Sequence, residues 1–182
     1  TTTAINSGTS TLNLNGTGTW SHTSTGQIRN NLTINTSGTI TVSSNVYYNT
    51  GSLTYTAGIV NTIGSTLNIS TSVTINTNGM GTTTNAWNNV TITNSTTTLT
   101  SDLNISGTLN VNNVSFTSST GNVNLIGSLT VAGTTGVYGT ATLNFTGTGT
   151  WSHLSTGIVQ NNININTSGT LTISGTLYYQ IG

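Results

Sequence analysis

The chain has 182 residues, of which Thr, Asn, Ser and Gly supply 117, while apolar residues make up 32%. Arg29 and Asp102 are the only charged side chains, which excludes a basic nucleic-acid footprint and electrostatic docking to a membrane. The sequence has no Cys and no Pro, and no apolar run approaches a membrane span, so we expect no disulfide framework, no thiolate metal site and no membrane insertion.

Pairs of apolar residues separated by one polar residue recur along the whole chain. This alternation is typical of short strands with one buried face, and no window shows helical periodicity. The sequence therefore predicts an all-β chain. In chain order the pairs are Leu12/Leu14, Leu32/Ile34, Ile40/Val42, Leu53/Tyr55, Leu67/Ile69, Val73/Ile75, Val90/Ile92, Leu103/Ile105, Leu109/Val111, Val123/Leu125, Leu129/Val131, Leu143/Phe145, Ile163/Ile165 and Leu171/Ile173.

Two stretches lack this alternation and are dense in Gly, Thr and Asn. They are Asn78–Asn85 and Gly133–Gly139. Such clusters are typical of loops, and we expect both stretches to be irregular excursions.

An internal repeat dominates the sequence. Thr11–Tyr48 recurs as Thr142–Tyr179 at a constant offset, with 25 of 38 positions identical, and Ala86–Ile92 echoes Ile28–Ile34. The separations between the copies are all close to multiples of roughly 19 residues, a plausible turn of a solenoid. We therefore predict one parallel β-solenoid domain over residues 1–182, with nine or ten coils of about 19 residues. The repeated Asn-Asn and Tyr-Tyr pairs are expected to stack into ladders.

The stretch Asn30–Val42 resembles the repeats of large bacterial surface and secreted β-helix proteins. Those repeats have a Trp or Phe shortly before Asn-Asn-Leu-Thr-Ile, followed by Gly-Thr-Leu/Val-Thr, and Trp87–Ile92, Ser106–Val111 and Asn161–Ile173 have the same pattern. The resemblance implies a right-handed parallel β-helix with a structural or adhesive role outside the cell or on a cell or virion surface. It transfers no functional residue.

Catalytic and metal-binding side chains are scarce. Polysaccharide lyases and hydrolases need paired carboxylates or a metal held by acids, and Asp102 is the sole carboxylate. His22 and His153 occupy equivalent places in the two Trp-Ser-His copies, which favours a repeated structural role. We therefore expect a protein that is not an enzyme and has no metal and no cofactor.

Aromatic residues are the best candidates for surface contacts. The repeat places Trp20 with Trp151 and Tyr47 with Tyr178. Exposed aromatic rings could stack on sugar rings, whereas the alternative is that they pack the corners of the coils. Within each Tyr-Tyr pair, alternation should point one ring inward and one outward.

Three functions follow as expectations. The first is a structural subunit or segment of a longer extracellular filament, fibre or adhesin, whose partner is another copy joined head to tail, because neither end has a charged or helical cap. The second is an ice-binding solenoid, and the third is a carbohydrate-binding module with glycan partners. The outward threonines considered for ice binding are Thr33, Thr41, Thr74, Thr91, Thr130 and Thr172.

Overall fold

The chain folds as a parallel β-solenoid. A computed structural model describes residues 4–22, 25–77, 80, 86–93, 96–112, 115–118, 120–134 and 136–180, and no helix occurs among them. The solenoid has about seven turns of roughly 20 residues. The predicted fold class is thus confirmed, but the turns are fewer and slightly longer than predicted.

The strands lie on three faces of the solenoid. Face 1 holds β1 (Ala4–Leu14), β3 (Gln27–Val42), β5 (Gly51–Asn61), β7 (Val73–Asn76), β9 (Thr96–Leu99), β12 (Ser115–Ser118) and β15 (Val137–Tyr138). The long strands bend around corners, and the first residues of β1 and β3 lie on face 3, where Gln27 and Ile28 pair with β4. Face 2 begins with β2 (Gly18–Trp20) and the ends of β3 and β5, and continues with β10 (Leu103–Ile105), β13 (Val123–Leu125), β16 (Thr142–Phe145) and β18 (Asn162–Ile165). Face 3 holds β4 (Val46–Tyr48), β6 (Thr66–Ile69), β8 (Asn89–Thr93), β11 (Thr108–Asn112), β14 (Ser128–Ala132), β17 (Gly149–His153) and β19 (Leu171–Ser174).

The predicted alternation produces the core. In β3, Leu32 and Ile34 are fully buried, while Thr33 between them points outward and is half-buried. The next turn repeats this arrangement in register, with Leu53 beside Leu32 and Thr54 beside Thr33. All fourteen predicted pairs lie in strands. The side chains of successive turns therefore form continuous apolar columns inside the solenoid.

One of the two predicted excursions is partly regular. Gly133–Gly139 contains the short strand β15, whose Val137 is buried and pairs with Phe116 of β12. The expectation of an irregular stretch is wrong there, because a two-residue strand is too short to show alternation. Of Asn78–Asn85, all but Met80 lies outside the described residues.

The two copies of the repeat lie on different faces. Thr11–Leu14 lies in β1 on face 1, whereas Thr142–Phe145 is β16 on face 2. Six turns lead from β1 to β15 on face 1, and β16 is the next strand along the chain after β15. The offset between the copies is therefore six turns plus one face, not seven turns. Each later element of the second copy is displaced in the same way, so the Asn-Asn and Tyr-Tyr pairs of the two copies cannot stack into the predicted ladders.

The strand pairing inside the two copies is nevertheless identical. Thr11–Leu14 pairs with 31–34 in the same register in which Thr142–Phe145 pairs with 162–165. Likewise, Trp20 lies beside Val42 as Trp151 lies beside Ile173. The same sequence thus builds the same pair of stacked strands on either face, which shows that the faces are interchangeable at the level of local structure.

Candidate functional site

The four aromatic candidates do not form one surface. Trp20 is half-buried on face 2, and Tyr47 is half-buried and points outward on face 3. Trp151 is only 4% exposed and stacks on Phe145 with ring centroids 5.3 Å apart. Tyr178, 39% exposed, stacks on His153 at 6.2 Å. The expectation of a surface contact is therefore wrong for Trp151, whose ring belongs to the core.

The first Tyr-Tyr pair has the predicted alternation. Tyr48 is buried, and its hydroxyl lies 2.8 Å from the carbonyl oxygen of Ser52, whereas Tyr47 faces outward. Burial raises the pKa of Tyr48, and a hydrogen bond with the Leu32 backbone offsets this in part. In the second pair, both Tyr178 and Tyr179 are exposed.

The two histidines have structural contacts. His153 is buried, and its Nδ1 accepts a hydrogen bond from the Tyr178 backbone N–H at 3.1 Å. His22 is half-buried, with Nδ1 3.2 Å from the carbonyl oxygen of Gly26. Burial lowers the pKa of both rings, and a backbone hydrogen bond opposes this in each case. Among the described residues, neither ring has a carboxylate partner that would orient it for general base catalysis.

The single carboxylate acts as a backbone acceptor. Asp102 Oδ1 accepts a hydrogen bond from the N–H of Asn122 at 2.8 Å, and its carbonyl oxygen accepts one from the Thr77 hydroxyl at 2.6 Å. In the next turn, Asn122 Oδ1 accepts from the N–H of Thr142 in the same way. An amide thus performs the same role one turn later, so this role does not require the acid.

The threonines considered for ice binding are spread over three faces. Thr33 and Thr74 lie on face 1, and Thr41 lies on face 2 beside Thr19 and Asn61. The other three are on face 3. Thr91 and Thr130 share a row with Asn110 between them, and Thr172 lies in the adjacent row. The six residues therefore do not form one continuous hydroxyl array.

An asparagine ladder runs along face 2. The Nδ2 of Asn124 donates to the Oδ1 of Asn104 at 2.7 Å, Asn144 donates to Asn124 at 2.8 Å, and Asn164 donates to Asn144 at 2.9 Å. The ladder begins at the carbonyl oxygen of Met80, which accepts from Asn104. It was not among the predicted features, although apolar-Asn-apolar triplets recur at even spacing from Leu103 to Ile165 and could have revealed it.

The last described turn presents uncovered core residues. Ile165, Ile173 and Tyr179 are 56%, 45% and 46% exposed. Their counterparts in the first copy of the repeat are Ile34, Val42 and Tyr48, which are 0%, 1% and 1% exposed. The first copy differs because a following turn lies over it; β5 covers β3, for example. The exposure therefore comes from the place in the stack and not from the residue types.

The first turn shows the same contrast on its opposite side. Leu12, Leu14 and Trp20 are half-buried, whereas their counterparts Leu143, Phe145 and Trp151 are 0%, 1% and 4% exposed. A groove of about 230 Å³ lies here, between the first turn and Ile40 of the second. Both end turns thus carry apolar side chains that an additional turn would cover.

A second groove of about 280 Å³ lies on the side of the solenoid. It is lined by Thr39, Asn61, Ala86 and Ser106 together with Ile59 and Ile63, which are 50% and 85% exposed. Its described lining contains no titratable group. The exposed side chains of Ile59 and Ile63 give it an apolar part beside the polar Thr39, Asn61 and Ser106.

Comparison with known proteins does not assign a family. No family model, no curated protein and no solved structure matches the chain. Across the described ranges, no cluster of three His, Cys, Asp or Glu could hold a metal ion. A search of the same residues for a helix long and apolar enough to cross a membrane found none.

Proposed function

We propose that the protein is a non-enzymatic structural protein, a subunit or segment of an extracellular filament, fibre or surface adhesin. One observation carries the proposal. Ile165, Ile173 and Tyr179 are exposed in the last described turn, although the equivalent side chains of the first copy are fully buried. In this proposal a further turn of the same kind covers them, contributed by a second copy or by further polypeptide.

A further turn would be held by the same interactions that join the turns within the chain, namely parallel strand pairing and apolar packing. A parallel strand edge with free N–H and C=O groups accepts another strand unless it is blocked, and natural edges are commonly blocked by Lys or Pro. The sequence contains neither residue. Contact between the last turn of one copy and the first turn of the next is heterologous, and such contacts generate open filaments.

The resemblance to bacterial surface and secreted β-helix repeats supports the extracellular location. The composition supports assembly at any salt concentration, because a surface of hydroxyls and amides with one Arg and one Asp has little charge for salt to screen. In this proposal the exposed strand edges and the apolar side chains of the end turns form the assembly contacts, and the rest of the solenoid holds them in place.

Electron microscopy of the purified chain tests this proposal. We expect filaments whose width matches one solenoid, and static light scattering that rises with protein concentration. A stable monomer at high concentration, whose two end turns exchange their amide hydrogens slowly, would contradict it.

We also predict no turnover of polysaccharides. The sequence has no second carboxylate, and Asp102 is committed to the backbone N–H of Asn122. Reducing-end assays on polysaccharide substrates should give the background rate for both the native chain and Asp102→Asn. Cleavage that is present in the native chain and lost in Asp102→Asn would overturn the non-enzymatic assignment.

Ice binding and carbohydrate binding remain the alternative functions. A thermal-hysteresis measurement tests the first, for which the structure offers only interrupted rows of Thr. A glycan array tests the second, with Tyr47→Ala as the variant because Tyr47 is, of the four aromatic candidates, the one that faces outward away from both end turns.

A further inference from the structure

The only basic side chain of the sequence lies on face 3, close to an outward tyrosine. Arg29 is exposed near the start of β3, where Gln27 pairs with Tyr47 of β4. Buried Ile28 separates the two β3 residues, whose side chains therefore point outward as Tyr47 does. Arg29 lies diagonally across from Tyr47, with about 8 Å between their Cα atoms, given the separation of adjacent strands and the rise per residue.

Amides and a hydroxyl surround these two side chains. On the next strand Asn68 pairs with Tyr47, and Asn49, two residues after Tyr47, donates from its Nδ2 to the Ser70 hydroxyl at 3.2 Å. The strands that carry these residues lie between β1 and β8 in the sheet. We call the group the Arg29 patch; it consists of Gln27, Arg29, Tyr47, Asn49, Asn68 and Ser70.

No described carboxylate neutralises Arg29. Its Nη2 donates to the Oε1 of Gln27 at 3.1 Å, which holds the guanidinium above the sheet. Asp102, the sole acid of the sequence, precedes β10 on face 2 and accepts the N–H of Asn122 instead. A guanidinium has five N–H donors, so Arg29 keeps donors available at the surface for an anion.

The second copy of the repeat shows that the fold does not require this charge. Gln160 takes the place of Arg29, and Gln180 takes the place of Asn49. The two strands involved stack in the same register in both copies. The Nε2 of Gln160 donates to the Oε1 of Gln180 at 3.0 Å. A pair of neutral amides thus serves the same strands, and the charge of Arg29 has no structural role to explain it.

We propose that the Arg29 patch binds a carboxylated sugar, a hexuronate residue of an acidic polysaccharide. The carboxylate accepts two parallel N–H bonds from the guanidinium, whose planar fork matches it. The ring of Tyr47 packs against the sugar ring. The side-chain amides of Gln27 and Asn49 lie beside the guanidinium, where they can donate to or accept from the sugar hydroxyls.

The make-up of the patch favours this ligand class over others. A neutral sugar supplies no anion for Arg29. Nucleic acids and anionic membranes are bound by clustered cations, and the sequence has one. An acidic peptide supplies a carboxylate but no sugar ring for Tyr47. A uronate carries a ring and a carboxylate in one rigid unit, which is what the tyrosine and the arginine recognise together.

This site goes beyond the proposed structural role and does not depend on assembly. It lies on the side of the solenoid, so each copy presents it whether or not copies stack. An exposed ion pair contributes little by itself, so binding of one sugar is weak. A polysaccharide that contacts several copies at once would be held more tightly through multivalency.

Isothermal titration calorimetry with an oligogalacturonate tests the site. We expect saturable binding by the native chain, and binding at least about tenfold weaker for the methyl ester of the same oligomer, because the ester has no charge for Arg29 to bond. Oligoglutamate of equal charge and a sulfated dextran serve as the other anions, and we expect both to bind more weakly than the oligogalacturonate.

Two variants and one control assign the binding to the patch. Arg29→Gln introduces the residue that the second copy already has, and it should weaken oligogalacturonate binding about tenfold. Tyr47→Ala should weaken binding of the acid and of its methyl ester alike, since both contain the sugar ring. Tyr138→Ala removes another half-buried tyrosine, on β15, with no charged residue in that strand or in β12 beside it; it should bind like the native chain.

The dependence on salt gives an independent readout. Raising the ionic strength should weaken binding by the native chain and leave the residual binding of Arg29→Gln unchanged, because only the native chain forms the ion pair. Circular dichroism verifies that each variant is folded. Electron microscopy of Arg29→Gln should show the same assembly as the native chain.

Several outcomes would overturn the site. These are no binding of the oligogalacturonate at millimolar concentration, equal binding of the acid and its ester, or full binding by Arg29→Gln. Stronger binding of the sulfated dextran or of oligoglutamate would assign the patch to a different anion and also overturn the proposal. A native chain that forms no filaments yet binds the oligogalacturonate through Arg29 would contradict the proposed function and leave this site standing.

Discussion

At the scale of the residue, adjacent side chains in a strand have opposite environments. Ile34 is fully buried in the core, and Thr33 before it points outward beside Asn13 and Thr54. Polar atoms also enter the interior, since Thr97 of β9 is fully buried. The effect of a substitution on stability should thus depend on whether the position points inward or outward, and on whether any buried polar atom has a hydrogen-bond partner.

A matched pair of substitutions tests this dependence. Ile34→Asn places an amide among apolar side chains without hydrogen-bond partners, and we expect it to lower the free energy of unfolding by about 3 kcal/mol. Thr33→Asn should change it by less than about 0.5 kcal/mol. Thermal melts followed by circular dichroism measure both. Equal losses would show that the alternation does not define the core.

The histidines should make stability depend on pH, although the surface has almost no charge. The pKa values of His22 and His153 are lowered from 6.5 by burial. Above pH 6.5 both states hold neutral rings, and stability is complete. As the pH falls below 6.5 the unfolded chain binds protons first, so stability is lost progressively until the pH passes the folded-state pKa values.

Melts between pH 8 and pH 4.5 test this prediction. We expect the melting temperature to fall below pH 6.5, the fall to be smaller in His22→Phe and in His153→Phe, and to be nearly absent in the double variant. A pH dependence that both substitutions leave unchanged would assign the effect to another group. Filaments should consequently tolerate salt better than acid.

At the scale of the element, the corners between faces 2 and 3 require close backbone contact. Gly107, Gly127 and Gly149 stack there in successive turns. A Cβ at Gly127 would lie 2.0 Å from the carbonyl oxygen of Gly107, and one at Gly149 would lie 2.2 Å from that of Gly127. None of the three has a positive φ, so what these positions need is the absence of a side chain.

Gly127→Ala should therefore force the two turns apart. Inserting an extra carbon into a tightly packed region typically lowers the free energy of unfolding by about 1–3 kcal/mol, and we expect Gly127→Ala to lower it by an amount in that range. Gly16→Ala is the control, because a Cβ there meets nothing within 4 Å, and it should be nearly neutral. Urea unfolding of the three proteins gives the comparison. A neutral Gly127→Ala would mean that the corner relaxes freely.

At the scale of the whole molecule, the first and the last described turn each leave apolar side chains exposed. Ile63 is 85% exposed on the side of the stack, and Ile173 is 45% exposed on the last turn. In the proposed filament the first stays in solvent, and the second is buried at every junction. Assembly should therefore respond to a charge at an end turn and not to one on the side.

Ile173→Lys should abolish filaments while the chain stays folded, because the ammonium group would be buried at each junction without a partner, which costs several kcal/mol. Ile63→Lys should assemble like the native chain. Sedimentation and electron microscopy, at both low and high salt, provide the readout. Normal filaments from Ile173→Lys, or strong salt sensitivity of the native chain, would contradict the stacking model.

The amino-acid sequence by itself determined the all-β class, the strands with aliphatic pairs and the inward residues within them, because these depend on local alternation. It did not reveal β4, β9 or β15, whose inward positions hold Val46 with Tyr48, Thr97 with Leu99, and Val137 alone. The predicted turn is too short because the repeat offset reads as seven whole turns from the sequence, whereas it spans six turns and one face. Only the tertiary structure decided that the two copies lie on different faces, that Asn104 to Asn164 form a ladder and that Trp151 is buried. These features depend on which residues of distant turns become neighbours, and that depends on the number of residues at every corner.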